Sequence, residues 1–148
     1  MSSEDVLPYA TTLLVRDHCL CLHVQRAARA LARRFDEAFR PFDLTNGQFS
    51  LLMSLNRPEP PPMGPVADLL AMDRTTLTAA LKPLERRGLV RIAMDKKDRR
   101  SRIIILTAKG KELVARAVPV WESIHAEIES QLGETTPDGF RAGLLAVS

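Results

Sequence analysis

The chain has 148 residues, of which 45% are hydrophobic and 26% are charged, with 21 Lys and Arg against 18 Asp and Glu. This composition is typical of one globular domain and excludes collagen-like, disulfide-stapled and wholly disordered chains. No apolar run approaches the roughly 20 residues of a membrane-spanning helix, and residues 1–5 carry two acidic side chains where a signal peptide is basic. We therefore expect a cytoplasmic protein with no membrane partner.

The positive charge is concentrated in one part of the chain. Residues 73–109 contain eleven Lys and Arg against four Asp and Glu, a net charge of +7, which leaves a net −4 on the remainder. A basic segment of this kind attracts a polyanion such as nucleic acid. A well-solvated basic surface is the alternative, and charge alone does not decide between them.

The first predicted element is one long helix from Tyr9 to Arg40, bracketed by Pro8 and Pro41. This stretch has no Gly or Pro, and apolar residues recur in it at the three- and four-residue steps of one helical face. These residues are Leu20, Val24, Ala27, Leu31, Phe35 and Ala38.

A second and a third helix are predicted on either side of a proline-rich connector. Thr45 and Gln48 form a capping-box pattern that starts a helix reaching about Leu55. Residues 57–62 contain four prolines and predict a stiff, extended connector. Pro65 then starts a short helix, for which we expect Val66, Leu69 and Leu70 to face inward.

The fourth predicted helix follows Asp73, a good N-cap residue, and ends at Gly88. Leu77, Leu81 and Leu84 lie on one face, and we expect Pro83 to bend the last turn. The opposite side exposes polar residues, namely Arg74, Thr75, Thr76, Thr78 and Lys82.

Two β-branched runs, residues 89–93 and 102–106, predict a hairpin with a charged tip over residues 94–101. Thr107 then caps a long final helix, and Thr136 with Pro137 begins a short terminal one. The long helix carries an apolar stripe formed by Leu113, Ala117, Trp121, Ile124, Ile128 and Leu132. Two short helices and a hairpin cannot cover both this stripe and the apolar face of the first helix, so we expect a homodimer.

Two short helices joined by a tight turn and followed by a charged hairpin predict a winged helix-turn-helix, whose second helix enters the DNA major groove. Arg74 suits bidentate binding of guanine, and threonines suit phosphates, base edges and thymine methyl groups. The hairpin tip, with Lys96, Lys97, Asp98, Arg99 and Arg100, suits phosphate contact and insertion of an arginine into the minor groove, with Asp98 holding an arginine extended. The alternatives are a capped surface helix and a solvated turn.

Several motifs in order resemble the MarR family of bacterial transcription regulators. They are residues 72–78 (MDRTTLT), 84–90 (LERRGLV), 98–100 (DRR) and 106–110 (LTAKG). The resemblance covers nearly the whole chain. Asp98 and Arg100 match the wing residues of the family, whereas Ala80 stands where many members have a basic residue on the recognition helix.

The resemblance implies a repressor, less often an activator, that binds DNA as a homodimer and is released by a small molecule or an oxidant. We therefore predict a mainly α fold with a small β-hairpin wing, a winged helix-turn-helix with long N- and C-terminal dimerisation helices. The DNA-binding lobe spans residues 44–107, and the dimerisation helices span residues 9–40 and 108–147. Two-fold symmetry predicts a palindromic operator in double-stranded DNA with half-sites about 10 bp apart.

Three classes of signal could release the protein from DNA: an oxidant, a small organic molecule or a metal ion. Cys21, with Cys19 beside it, is a candidate redox sensor, because it lies near the sensing cysteine of peroxide-responsive family members. The two tyrosines that assist that cysteine are replaced here by Phe35 and Asn46. The resemblance also implies a small apolar or aromatic anion bound near Arg26 and Phe49.

Metal sensing finds little support, because on a helix Cys19 shares a face with His23 and Cys21 shares another with His18. Cysteines buried as small apolar residues are the structural alternative.

Two rival function classes remain. The sequence lacks a phosphate-binding glycine loop, a His-Glu-x-x-His motif and a nucleophile-elbow serine, so we expect neither an enzyme nor a bound cofactor. A winged-helix adaptor that binds protein instead of DNA is the other class. The basic segment argues against it.

Overall fold

A computed structural model describes residues 6–148, which divide into two compact units with a boundary after Arg34. The predicted mainly helical fold with one small hairpin is confirmed. Among the described residues, no helix is both long enough and apolar enough to cross a bilayer.

The first unit contains helix α1 (Tyr9–His18) and most of helix α2 (Leu20–Ala38). The prediction of one continuous helix to Arg40 is therefore wrong. Cys19, between them, has extended backbone angles of φ −68° and ψ 111°. Its thiol accepts the Leu22 amide at 3.5 Å, and a ring nitrogen of His18 lies 3.0 Å from the Leu14 carbonyl oxygen. These side chains satisfy backbone groups that a helix break leaves open, and they do so without glycine or proline.

The second unit begins at Phe35 with the last turn of α2, which is followed by a 3-10 turn, Arg40–Phe42. Asp43 then adopts a left-handed conformation at φ 51°. Helix α3 (Asn46–Ser54) has the predicted capping box, in which the Gln48 amide donates to Thr45 Oγ1 at 3.1 Å and the Thr45 amide donates to Gln48 Oε1 at 3.0 Å. This reciprocal cap is confirmed, and it sets the start of α3.

Helix α4 (Met63–Leu69) starts two residues earlier than predicted, and Pro65 lies within its first turn. Val66 and Ala67 are buried, whereas Leu69 is 65% exposed, so the expectation that Leu69 faces inward is wrong. The buried face is centred between Val66, Ala67 and Leu70, and Leu69 lies about 100° around the helix from it.

Helix α5 (Arg74–Arg86) is capped by Asp73, whose carboxylate accepts the Thr76 amide at 2.7 Å. As predicted, Leu77, Leu81 and Leu84 are buried. The chain leaves the helix through Gly88, whose φ of 71° is the left-handed conformation that glycine adopts without a steric cost.

Strands β1 (Val90–Met94) and β2 (Arg102–Leu106) pair antiparallel, with Ile92 opposite Ile104. The connector predicted between α3 and α4 has a further role, because Pro62 bridges to Ile103 and the Ile104 amide donates to the Pro61 carbonyl at 2.9 Å. The proline-rich segment therefore lies along the free edge of β2.

Helix α6 (Ala108–Ser130) and helix α7 (Pro137–Ala146) begin at the predicted caps, Thr107 and Thr136. The hydrophobic core of this unit contains side chains from helices α3, α4, α5 and α6 and from the hairpin. Its fully buried side chains include Phe39, Leu51, Leu52, Val66, Leu77, Leu81, Leu84, Leu89, Val90 and Ile104. Burial of Leu77, Leu81 and Leu84 from α5 with Val90 and Ile104 from the hairpin ties these two elements together.

Candidate nucleic-acid interface

The outer face of α5 is polar and solvent-exposed. Arg74, Thr75, Thr78, Ala79 and Lys82 line a shallow depression of about 330 Å³ along it. The face is exposed because the three leucines of α5 occupy the opposite side. It presents two cations and two hydroxyl groups at the spacing of successive helical turns.

Two threonine hydroxyl groups of α5 already donate hydrogen bonds within the protein. Thr76 Oγ1 donates to Asp73 Oδ2 at 3.0 Å, and Thr78 Oγ1 donates to the Arg74 carbonyl at 2.8 Å. Because both hydroxyl protons are engaged, the two oxygens remain as hydrogen-bond acceptors. An acceptor oxygen matches the amino groups of bases better than it matches phosphate oxygens.

Hydrogen bonds from the Thr76 amide and hydroxyl lower the pKa of Asp73 below its ordinary value of 3.8. The carboxylate is therefore charged at neutral pH and caps the first turn of the helix.

The tip of the hairpin is organised by two aspartates. Asp95 Oδ1 accepts the Lys97 amide, and Asp98 Oδ1 accepts the Arg100 amide, both at 3.0 Å. The sequence suggested that Asp98 holds an arginine side chain extended. In the structure Asp98 instead binds the backbone amide of Arg100. The side chains at the tip that carry positive charge are all exposed, namely Lys96, Lys97, Arg99 and Arg100.

A groove of about 490 Å³ lies between α5 and the hairpin. Arg74 and Thr78 line it from the helix, and Arg100 and Arg102 line it from the hairpin. Its floor includes Ile92 and the segment from Pro62 to Pro65. The structure therefore brings the helix and the wing to one concave, positively charged surface.

Arg102 was not among the predicted site residues. The alternation of side chains along β2 could have predicted its position, because Arg102 shares a side of the strand with the buried residues Ile104 and Leu106. At the end of the strand nearest the tip, that side opens into the groove.

Not every cation of the basic segment faces outward to this surface. The Arg87 guanidinium donates to the Asp43 carbonyl at 2.6 Å, and Lys109 Nζ donates to the Arg87 carbonyl at 2.8 Å. These two side chains satisfy backbone oxygens at the end of α5 and in the turn before α3. Arg91, with Lys96 and Lys97, lines a depression on the other side of the hairpin.

The candidate effector and redox residues occupy different environments. Phe49 is buried and stacks on Phe39 with ring centroids 4.6 Å apart, as a core residue does. Arg26 is exposed and lines a depression of about 610 Å³ on α2 together with both cysteines. Cys21 is exposed and its sulfur accepts Gln25 Nε2 at 3.1 Å, whereas Cys19 is half-buried.

The buried-cysteine alternative does not describe Cys21 within this chain. Within residues 6–148, no group of three or more His, Cys, Asp or Glu side chains is arranged to hold a metal ion.

Comparison with known proteins identifies the family. A model of the MarR family matches residues 44–101, which contain α3 to the tip of the hairpin. The chain is also 36% identical to the Mycobacterium tuberculosis transcriptional regulator MosR in its DNA complex, with a TM-score of 0.80, covering 88% of this chain and 93% of that one. The chain belongs to the MarR family.

Other MarR-type relatives agree with this assignment. CouR, a transcriptional repressor solved bound to a 23-mer DNA duplex, is 31% identical with a TM-score of 0.70, and the match covers 90% of this chain and 92% of CouR. The regulator TtmR of Methylorubrum extorquens is 37% identical over 97 residues, which are 66% of this chain and half of TtmR. HosA of Escherichia coli O157:H7 is 33% identical over 92 residues, which are 61% of this chain and 67% of HosA. The family and these relatives are transcription regulators rather than enzymes.

Proposed function

We propose that this MarR-family protein is a sequence-specific transcriptional regulator, a repressor, that binds a palindromic operator in double-stranded DNA as a homodimer. The observation that carries the proposal is the convergence of Arg74, Thr78, Arg100 and Arg102 on one groove between α5 and the hairpin. A helix in the major groove with a flanking basic wing reads bases and holds the backbone at the same time. MosR and CouR, solved with DNA, support the same interpretation.

Dimerisation is supported by the distribution of apolar side chains. Of the fifteen large hydrophobic side chains exposed within residues 6–148, twelve lie in residues 6–24 or 140–147. Exposed apolar side chains concentrated at two ends of a chain are typical of an association surface. We assign residues 44–107 to DNA binding and the helices within residues 9–40 and 108–147 to the dimer.

The experiment that tests DNA binding is selection of a site from a random duplex pool, followed by titration across a salt series. Arg100→Ala should weaken binding and lower the slope of log affinity against log salt by about one unit, because one phosphate-contacting cation is lost. Lys111→Ala, an exposed cation outside the groove, is the matched control and should change neither quantity. Failure to select any duplex, with the folded state verified, would instead support a protein-binding adaptor.

A second pair of variants distinguishes a side chain that contacts DNA bases from one that contacts the DNA backbone. Arg74→Ala should relax base preference at one half-site position, at a cost on the order of 1–3 kcal/mol, whereas Lys97→Ala should weaken all sequences about equally. Equal losses across sequences for both variants would reassign Arg74 to the DNA backbone.

The signal that releases the operator has two candidates. An oxidant is the first candidate, with Cys21 as its target, because the Cys21 thiol is exposed within one chain and peroxide reacts with thiols. The depression beside Arg26 favours a small organic anion, with the guanidinium supplying the counter-charge. Peroxide that releases the wild-type protein but not Cys21→Ser supports the first candidate. A ligand that raises the melting temperature supports the second.

A further inference from the structure

The chain that leaves α5 is bonded to the start of α6 through three successive carbonyl groups. The Arg87 carbonyl accepts a hydrogen bond from Lys109 Nζ at 2.8 Å. The Gly88 carbonyl accepts the Thr107 hydroxyl at 2.6 Å, and the Leu89 carbonyl accepts the Thr107 amide at 3.1 Å. Carbonyls at the C-terminal end of a helix lack partners within the helix, so these bonds supply them and fix the end of α5 to α6.

The Arg87 side chain extends this attachment to the turn before α3. Its guanidinium donates to the Asp43 carbonyl at 2.6 Å and to the Phe42 carbonyl at 3.4 Å, and the side chain is 31% exposed. Asp43 has the left-handed conformation that residues other than glycine rarely adopt, and a charged donor holds its carbonyl oxygen. Three elements therefore meet at Arg87. We call Arg87, Thr107 and Lys109 the clamp.

The clamp lies away from the groove to which the proposed function assigns DNA. Arg87 follows the last residue of α5, whereas Arg74 begins that helix and lines the groove. Arg87 and Lys109 line a different depression, of about 880 Å³, which also includes Leu113 of α6. Because both cationic groups donate to backbone oxygens within the chain, we assign them to holding α5 in place rather than to phosphate contact.

A small change at the clamp is amplified at the other end of α5. About 20 Å of helix separate Arg87 from Arg74, since the thirteen residues of α5 rise about 1.5 Å each. A tilt of about 5° at the clamp would therefore move the Arg74 end by about 2 Å. Contacts to base edges do not survive such a displacement, because a hydrogen bond weakens within a few tenths of an ångström of its preferred length.

The proposed function assigns α6 to the dimer and α5 to the operator. Each copy holds its own α5 to its own α6 through the clamp, so the separation of the two α5 helices depends on both clamps. That separation must match the distance between the two half-sites of an operator.

We propose that the clamp is a set of positioning residues that determines which half-site spacing the dimer accepts. The proposal rests on the DNA-binding homodimer of the proposed function and adds the residues that set its spacing.

Operators that differ in spacing test this role. The selected operator is compared with two duplexes in which one base pair is inserted or deleted between the half-sites, and affinities are measured by fluorescence anisotropy. Arg87→Ala and Lys109→Ala should each lower the affinity for the selected operator by about three- to thirtyfold, as expected for loss of coupling through a network of contacts. The affinity for the altered duplexes should change less, so the preference for the selected spacing should narrow by about threefold or more.

The salt dependence of binding distinguishes positioning from contact. The slope of log affinity against log salt should be the same for wild type and both variants, because no phosphate contact is lost. Lys109→Arg retains a cationic donor for the Arg87 carbonyl and should restore the spacing preference.

Arg86→Ala is the matched control. Arg86 is the neighbouring cation on α5, and its side chain is exposed and forms no ion pair among residues 6–148. This variant removes the same charge one position away and should keep the wild-type preference among the three duplexes.

Circular dichroism establishes that each variant is folded, and Lys109→Ala, which removes a single hydrogen bond, is sufficient should Arg87→Ala not fold. Wild-type preference in the clamp variants, or equal losses for all three duplexes, would overturn the clamp as a determinant of spacing. A salt slope lowered by about one unit would also overturn it, since that result marks a phosphate contact. A wild-type protein that binds all three spacings alike would instead refute the dimer on a palindromic operator.

Discussion

Gly110, at the start of α6, is a position where a single methyl group should destabilise the whole DNA-binding lobe. A Cβ built there would fall on the carbonyl oxygen of Leu89, closer than atoms approach, and 2.7 Å from Leu106 Cδ1. The Leu89 oxygen cannot easily move, because it accepts the Thr107 amide at 3.1 Å, and the Thr107 hydroxyl donates to the adjacent Gly88 carbonyl at 2.6 Å. The clash would separate α6 from the chain that leaves α5.

The cost of Gly110→Ala follows from these contacts. Overpacking a well-packed site costs about 1–3 kcal/mol, and loosening the hydrogen bond from the Thr107 amide to the Leu89 carbonyl adds about 1 kcal/mol. The helical preference of alanine over glycine returns less than about 1 kcal/mol in the first turn of a helix. We therefore expect the free energy of unfolding to fall by about 2–3 kcal/mol, measured by urea denaturation with circular dichroism.

Gly143→Ala is the matched control, because a Cβ on Gly143 in α7 meets no atom within 4 Å. This substitution should be neutral or stabilising by up to about 1 kcal/mol. A Gly110→Ala protein within about 0.5 kcal/mol of wild type would refute the steric argument, since surface substitutions commonly change stability by that amount.

Three further predictions concern the interface and its regulation. The lowered pKa of Asp73 means that its cap stabilises the protein above pH 3.8 and is lost as the pH falls through the folded-state value, so Asp73→Asn should have a shallower acid-induced loss of melting temperature. Arg102→Ala should lower the salt slope of DNA binding by about one unit, and an unchanged slope would remove Arg102 from the interface. Cys19→Ser and Cys21→Ser should leave the affinity of the reduced protein for DNA nearly intact, which a gel-shift titration measures, because DNA contacts are assigned to α5 and the hairpin.

Local signals in the sequence were sufficient for most of the helix starts and for the hairpin. The capping residues Thr45, Asp73, Thr107 and Thr136 all cap their predicted helices, since a cap involves only residues three positions apart. Strand β2 matches its prediction residue for residue, and β1 is shifted by one. The fold class and the outer face of α5 follow from these same short-range patterns.

Three features were decided by tertiary or local contacts that the hydrophobic periodicity does not predict. They are the break at Cys19, the outward position of Leu69 and the pairing of Pro61 and Pro62 with β2. A thiol that caps a helix resembles any other cysteine in the sequence, and a proline-rich edge resembles a linker until a strand lies beside it. The groove lined by Arg74, Thr78, Arg100 and Arg102 also depends on how the hairpin packs on α5. The sequence by itself thus determined which side chains of α5 and of the hairpin tip are exposed. Tertiary packing alone decided which of them share one surface, because the distance between residues far apart in sequence is set by the core that joins their elements.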